Sequence, residues 1–268
     1  MAREFRVSIL ALLSRNGLDV KDVHDVAAGL AGADSLAQTR TLERLLREMG
    51  FSRVQVCNDG YLPVFSECAG GAGIAYNCGT GVCCTAVDPA GRMTKLGGLD
   101  EWSGDAGGGV WLLQQIFTAV YNDAALSLGE TALTGDYADA LGIAHGQLAA
   151  QLDESLLRVK ADSSVQHRLI ASVFRADAQG DAAAQEICAR MIGRAADYIG
   201  AAYALSQFGE VPVQIVLSGS ILCKAAPESF LNRMKAAVER RIGRNAQWLT
   251  PRNTPVHGAA VWLEKRNA

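Results

Sequence analysis

The run Cys78-Gly79-Thr80-Gly81-Val82 holds residue types that could grip a phosphate. An apolar stretch, Gly73-Ile74-Ala75-Tyr76, precedes it and another, Val82 to Val87, follows, so Gly-Thr-Gly falls in a tight bend between strands. Two glycines allow close backbone approach and leave N–H groups free; with the Thr80 hydroxyl they make an anion-binding nest. A plain hairpin turn uses the same residues, and the motif alone does not separate the two. A similar place follows. Gly97 to Gly109 holds seven Gly or Ser in thirteen residues and feeds into Val110-Trp111-Leu112-Leu113, which reads as a helix start. A glycine loop entering a helix N-terminus favours anions. Asp59, in Asn58-Asp59-Gly60, adds a carboxylate at a strand end, where it could take a hydroxyl proton. Asn-Asp-Gly is also ordinary turn sequence.

Several elements must position these groups. Phe5 to Arg15 has helical spacing of apolar positions. Asp25 to Gly32 reads as a strand ending in a glycine turn, Leu36 to Met49 as an amphipathic helix closed by Gly50, and Val54–Cys57 as a strand. Strand, helix and strand at these lengths form a βαβ unit with parallel pairing, and its functional end is the carboxyl edge, with Gly32 and Asp59. Asp88-Pro89-Ala90-Gly91 has type I turn preferences, and Arg92–Leu96 makes a second hairpin arm. Helices are expected over 110–122, 131–142, 146–158 and 164–175. A longer one follows Gln179-Gly180-Asp181 and runs to Ser206. Pro212–Leu217 reads as a buried strand stopping at Ser218-Gly219-Ser220. A helix over 227–242, a short strand over 246–249 and a last helix from Pro255 complete the chain.

Composition narrows the class. The chain has 268 residues, 49% hydrophobic and 20% charged, enough for a sizeable core in one large or two modest domains. A net charge of −3 without a basic stripe argues against nucleic acid. No apolar run reaches the ~20 residues of a membrane span, and the start reads as a cytoplasmic helix rather than a signal peptide. Seven cysteines, an odd number, argue against a disulfide framework. Four lie between 68 and 84, but without a C-x-x-C or a nearby His they read as buried thiols, and no metal site is expected.

Taken in order, strand–Asn-Asp, Gly-Thr-Gly between hairpin strands, Gly-Gly…Gly-Asp-x-Gly before a helix, Gln-Gly-Asp, strand–Ser-Gly-Ser and Pro-x-x-Gly-Ala-Ala resemble the BadF/BadG/BcrA/BcrD ATPase family, most closely its N-acetylglucosamine kinase branch. The resemblance runs from about residue 5 to the C-terminus. It implies an α/β chain with the actin-like ATPase fold, two ribonuclease-H-like domains about a nucleotide cleft, here 1–70 (with the last helix, 255–268, returning to it) and 71–254. It also implies an ATP-dependent sugar kinase, with Mg²⁺ carried by ATP, working in the cytoplasm on N-acetylglucosamine or a related sugar. Asp59 would be the general base. Gly79, Thr80 and Gly81 would hold phosphates, and Gly180, Gly219 and Ser220 would lie around the adenosine. Gly32, Asn58, Gly98, Leu99 and Asp105 would meet the sugar, with helix capping as the alternative role for Asp105. A homodimer is common among such relatives.

Some family features are not in this sequence. The opening hairpin with Asp-Gly-Gly-x-Thr, part of three strands or roughly 40 residues at ordinary lengths, is missing. Leu99, Asp100 and Ala106 replace the family's Trp, Gly and Glu. Either a truncated or misassigned gene start or a degenerate kinase that has lost catalysis accounts for this; the chain as written is expected to have compromised activity and a 24–30 strand left without neighbours, open to association. Two rivals stand beside the kinase. One is an ATPase activator of 2-hydroxyacyl-CoA dehydratases, with cysteines such as Cys78 on an iron–sulfur cluster. The other is a sugar-binding protein without catalysis.

Overall fold

The computed structural model describes residues 2–210 and 212–267. The segment 25–57 folds as the βαβ unit its periodicity predicts. β1 (Asp25–Gly29) pairs in parallel with β2 (Arg53–Cys57), Gly29 opposite Cys57. Between them runs α2 (Leu36–Glu48), opened by a capping box of Ser35 and Gln38. Phe5, Ile9 and Leu13 of α1 (Ala2–Arg15) pack with Leu46, Phe51, Val54 and Val56 into a small core. The strand near 24–30 was expected to stand without neighbours; instead β1 has β2 along one side. Its other edge meets no strand among the described residues.

After β2 the chain makes a 3₁₀ turn at Asp59–Tyr61 and a short helix, α3 (Leu62–Glu67), absent from the sequence reading. Pro63 looks like a breaker there. In the first helical turn its missing N–H costs nothing, and its fixed φ suits the start.

The second sheet has the order β5-β4-β3-β6-β7. β3 (Gly73–Cys78), β4 (Val82–Val87) and β5 (Met93–Gly97) are antiparallel neighbours. β6 (Gln214–Ser218) and β7 (Gln247–Leu249) continue in parallel from β3. This is a ribonuclease-H-like topology. Asp88 closes the second hairpin, its carboxylate accepting from the Ala90 and Arg92 N–H groups while Gly91 N–H returns to its carbonyl. Helices α4 (Gly109–Ala124), α5 (Ala132–Leu141), α6 (Leu152–Ala161), α7 (Ser163–Ala178), α8 (Ala182–Leu205) and α9 (Glu228–Ile242) fill in the remainder. The single helix expected over 146–158 breaks into two 3₁₀ turns before α6, since Gly146 weakens helix there and no side chain caps the start.

Both faces of the central strands β3, β4 and β6 are buried, which is why those strands read as continuous apolar runs. Ile74, Tyr76, Cys84 and Ile215 join the large core shared with the helical layer. Ala75, Val87 and Val216 face a second core with Leu62, Phe65 and Trp262. The last helix, α10 (Pro255–Asn267), returns to α3 and β1. Phe65 and Trp262 stack at 5.4 Å, and a Cβ on Gly258 would fall 2.2 Å from the Leu62 carbonyl oxygen. That seam locks the Asp59 turn onto the second sheet.

Candidate active site

The Gly79–Gly81 bend stands at the end of the β3–β4 hairpin, braced from behind. Gly79 N–H donates to the Gly81 carbonyl, and the first N–H groups of α4, those of Gly109 and Val110, donate to the Gly79 and Thr80 carbonyls at 2.8 and 3.2 Å. The Thr80 side chain is exposed, and the Thr80 and Gly81 N–H groups meet no backbone acceptor among the described residues. Free amides and a hydroxyl on a braced bend suit an anion. On the adjacent strand, Gly219 adopts φ +90°, and a Cβ there would lie 2.3 Å from the Cys78 carbonyl oxygen. Only glycine lets β6 leave the sheet so close to this bend.

A cleft of ≈ 480 Å³ opens above the bend. Gly79, Thr80, Gly109, Val110, Ser220 and Ile221 form its inner end; Phe117, Val159 and Ile170 give it an apolar wall, with Lys160 and His167 at the rim. A second hollow of ≈ 350 Å³ is lined by Asp59, Asn77, Gly219, Ser220 and Lys224. Ser220 borders both, so the phosphate-type bend and the Asp59 carboxylate sit in adjoining spaces rather than in one.

Asp59 is presented by its neighbours. Asn58 is buried and caps the turn, its Oδ1 accepting from Gly60 N–H at 2.9 Å. Thr85 of β4 donates to the Gly60 carbonyl at 2.7 Å. The Asp59 side chain itself is exposed, with no hydrogen bond or ion pair among the described residues.

Asp105 is the opposite case. It is buried, and its carboxylate accepts from the N–H groups of Gly98, Leu99 and Asp100 at 2.8 to 3.0 Å, from Ser103 Oγ and from the Tyr198 hydroxyl. Burial, then donation to that carboxylate, pushes the Tyr198 hydroxyl up to about 12. Asp105 therefore staples the 97–105 loop, and caps no helix: the α4 N-cap is Gly108, without a side-chain bond. The Leu99 side chain points outward, 59% exposed.

Gly180 is not brought to the cleft. Ile170 lines the cleft, and α7 runs on for eight residues, about 12 Å at ~1.5 Å per residue, before the turn that holds Gly180. The Gln-Gly-Asp signal has another cause. Asp181 accepts from Ala184 N–H, Ala132 N–H and Thr131 Oγ, and so caps α8 and ties down the start of α5. Gly32, with φ +83°, lies exposed in the turn between β1 and α2. Two residues on, Asp34 pairs with Lys95 of β5. Neither of these, nor Lys160 and His167, stood out in the sequence as a site residue.

Cys78 is buried, its thiol 2.9 Å from the Gly107 carbonyl, and burial pushes the thiol well up. Among the described residues no group of His, Cys, Asp and Glu could hold a metal ion. A cluster ligand at Cys78 does not fit this packing.

Residues 2–262 match the sequence model of the BadF/BadG/BcrA/BcrD ATPase family. An N-acetylmuramic acid/N-acetylglucosamine kinase from Clostridium acetobutylicum is 26% identical over 168 residues, 62% of this chain and 53% of that protein. The match thus spans about half the length of that curated relative. Among solved structures, a protein assigned as an N-acetylglucosamine kinase from Chromobacterium violaceum aligns with a TM-score of 0.58 at 19% identity, over 98% of this chain and 85% of its own. A ROK family glucokinase from Streptomyces griseus, in complex with glucose and AMPPNP, aligns with a TM-score of 0.57 at 18% identity, over 100% and 89%. The shared architecture is the actin-like ATPase fold of sugar kinases.

Proposed function

The chain belongs to the BadF/BadG/BcrA/BcrD ATPase family, and from that premise we propose that it transfers the terminal phosphoryl group of ATP to a hydroxyl of N-acetylglucosamine or a closely related sugar. The observation that carries this reading is the junction at Ser220. It joins an anion-suited bend in one space to an exposed, unpartnered carboxylate in the next. Phosphoryl transfer asks for such a pair, because positioning and charge stabilisation supply most of the rate.

In this reading the domains are 1–70 with α10, and 71–254. The nucleotide enters as its magnesium complex, a substrate. Its base lies along the apolar wall of Phe117, Val159 and Ile170, and Lys160 at the rim favours its negative charge. The Thr80 hydroxyl and the free amides of Thr80 and Gly81 take the transferring phosphates. Asp59 accepts the proton of the attacking sugar hydroxyl as the phosphoryl group leaves ADP. Gly98 belongs to the sugar wall, and Asp105 acts there by holding the loop's shape. Dependence on ATP makes the cytoplasm the setting.

The test is ADP release by the full chain with ATP, Mg²⁺ and a panel of amino sugars and hexoses, beside calorimetry of sugar binding. Sugar-dependent ADP release supports the proposal. Sugar binding without turnover selects a non-catalytic sugar-binding protein, and neither binding nor turnover removes the sugar reading altogether.

A further inference from the structure

Asp34 lies between β1 and α2, and Ser35 rather than Asp34 caps the helix. Its carboxylate is thus left for other work. One oxygen, Oδ1, accepts from Asn58 Nδ2 at 2.9 Å and stands 3.1 Å from Lys95 Nζ. The other, Oδ2, has no partner among the described residues, and the side chain is 34% exposed. Lys95 comes from β5, across from the first sheet; its side chain is only 13% exposed and also donates to the Gly97 carbonyl at 3.0 Å. The pair therefore joins the β1–α2 turn to the glycine loop, and Asn58 ties it to the residue beside Asp59. The Cys83 thiol marks how close these charges are. Burial pushes it up to about 11, with Lys95 opposing and Asp59, Asp105 and Asp34 adding to the rise.

Resting on the kinase reading above, we propose that Asp34 is a substrate-binding residue whose outer oxygen accepts hydroxyl hydrogens of an uncharged sugar held against Asp59, and that Lys95 is the positioning residue that fixes and neutralises it. A carboxylate offers two oxygens as acceptors, and two donors from the protein already fix one of them. Sugar hydroxyls supply the donors that the other lacks. Charge sets the class of sugar. Lys95 holds the inner oxygen of Asp34 and Lys224 lines the Asp59 hollow, so the charges nearly balance overall, but the outer oxygen offered to the sugar still belongs to an anion. A sugar bearing its own carboxylate meets like charge there and is disfavoured. The site thus takes a neutral N-acetylhexosamine or hexose in preference to an acid-substituted one.

Calorimetry on the full chain, with N-acetylglucosamine and N-acetylmuramic acid as probes, tests this beside steady-state kinetics. Asp34→Asn should weaken N-acetylglucosamine about tenfold, the loss of a charge-assisted hydrogen bond. The effect should fall on the sugar KM, with kcat and the KM for ATP kept. The same change leaves Lys95 uncompensated, so binding of N-acetylmuramic acid should hold or improve and the preference between the two sugars should narrow about tenfold or more. A mere loss of packing would weaken both sugars alike. Lys95→Met should weaken N-acetylglucosamine by about threefold and Lys95→Arg should restore it. Unaltered affinity and preference in both Asp34→Asn and Lys95→Met would overturn the assignment alone. A wild-type chain that binds neither sugar nor any other of the panel would overturn the kinase reading and this assignment with it.

Discussion

Asp59 and Asp105 are carboxylates at the same end of the molecule, and a sequence-level reading offers both to the substrate. Asp59 sits on an exposed turn with its oxygens free, held in place entirely through its neighbours' bonds. Asp105 is buried and meets five donors. The first has its hydrogen-bonding capacity left for a ligand; the second has spent it on a loop. The difference teaches that chemistry and architecture are separated here by counting partners, since residue type, glycine context and position along the sheet edge are alike.

The largest expected effect breaks the comparison on its structural side. Asp105→Ala removes the buried carboxylate that three N–H groups and two hydroxyls share, and with it the staple of an otherwise outward-facing loop, a cost of about 3–5 kcal/mol. For a chain of this size that lowers the melting temperature by about 10 °C, readable by calorimetry. A melting temperature within a degree of wild type would show the staple to be dispensable. The matching experiment is Asp59→Asn. It should leave the melting point alone and cut turnover by about 10²-fold or more, or roughly 3 kcal/mol of barrier. A variant that loses stability instead of rate would place Asp59 with Asp105. Thr80→Ala is smaller. One hydroxyl contact is worth about 1 kcal/mol, so the KM for ATP should rise about fivefold and that for sugar less. The reverse ranking would move the phosphate site off the bend.

The parts legible in sequence are those governed by local rules. The β1–α2–β2 unit follows from apolar period and a Ser35–Gln38 cap, and the two hairpins from Gly-Thr-Gly and Asp-Pro-Ala-Gly. Where one local signal has two meanings, the reading strays. Pro63 opens a helix that the sequence reading lacks, Gly146 interrupts one, and Gln-Gly-Asp is a double helix cap distant from the cleft. The pairing of Asp34 with Lys95 has no local signal at all. The two residues meet because α10 and α3 clamp the first sheet against the second, and that is a fact of tertiary packing.

The smallest effect sharpens the comparison through thiols that flank the two carboxylates. Cys223 is exposed and lines the hollow of Asp59, whereas Cys78 is buried against Gly107, behind the loop that Asp105 staples. The thiolate is the reactive form, and burial raises Cys78 well above the usual thiol range, so its thiolate is scarce at neutral pH. In native protein at pH 8 a thiol reagent should modify Cys223 first and leave Cys78 untouched until the chain is unfolded. A sugar or nucleotide seated beside Asp59 should slow Cys223 by about two- to fivefold, since a bound ligand narrows access without burying the thiol. Cys83, raised to about 11, should react slowly and about tenfold faster for each unit of pH, because its thiolate fraction rises by that factor below its pKa. Mass spectrometry of the labelled peptides reads all three sites at once. Labelling of Cys78 at the rate of Cys223 would mean that the stapled loop opens freely, and then the two carboxylates would differ less in solution than their hydrogen bonds imply.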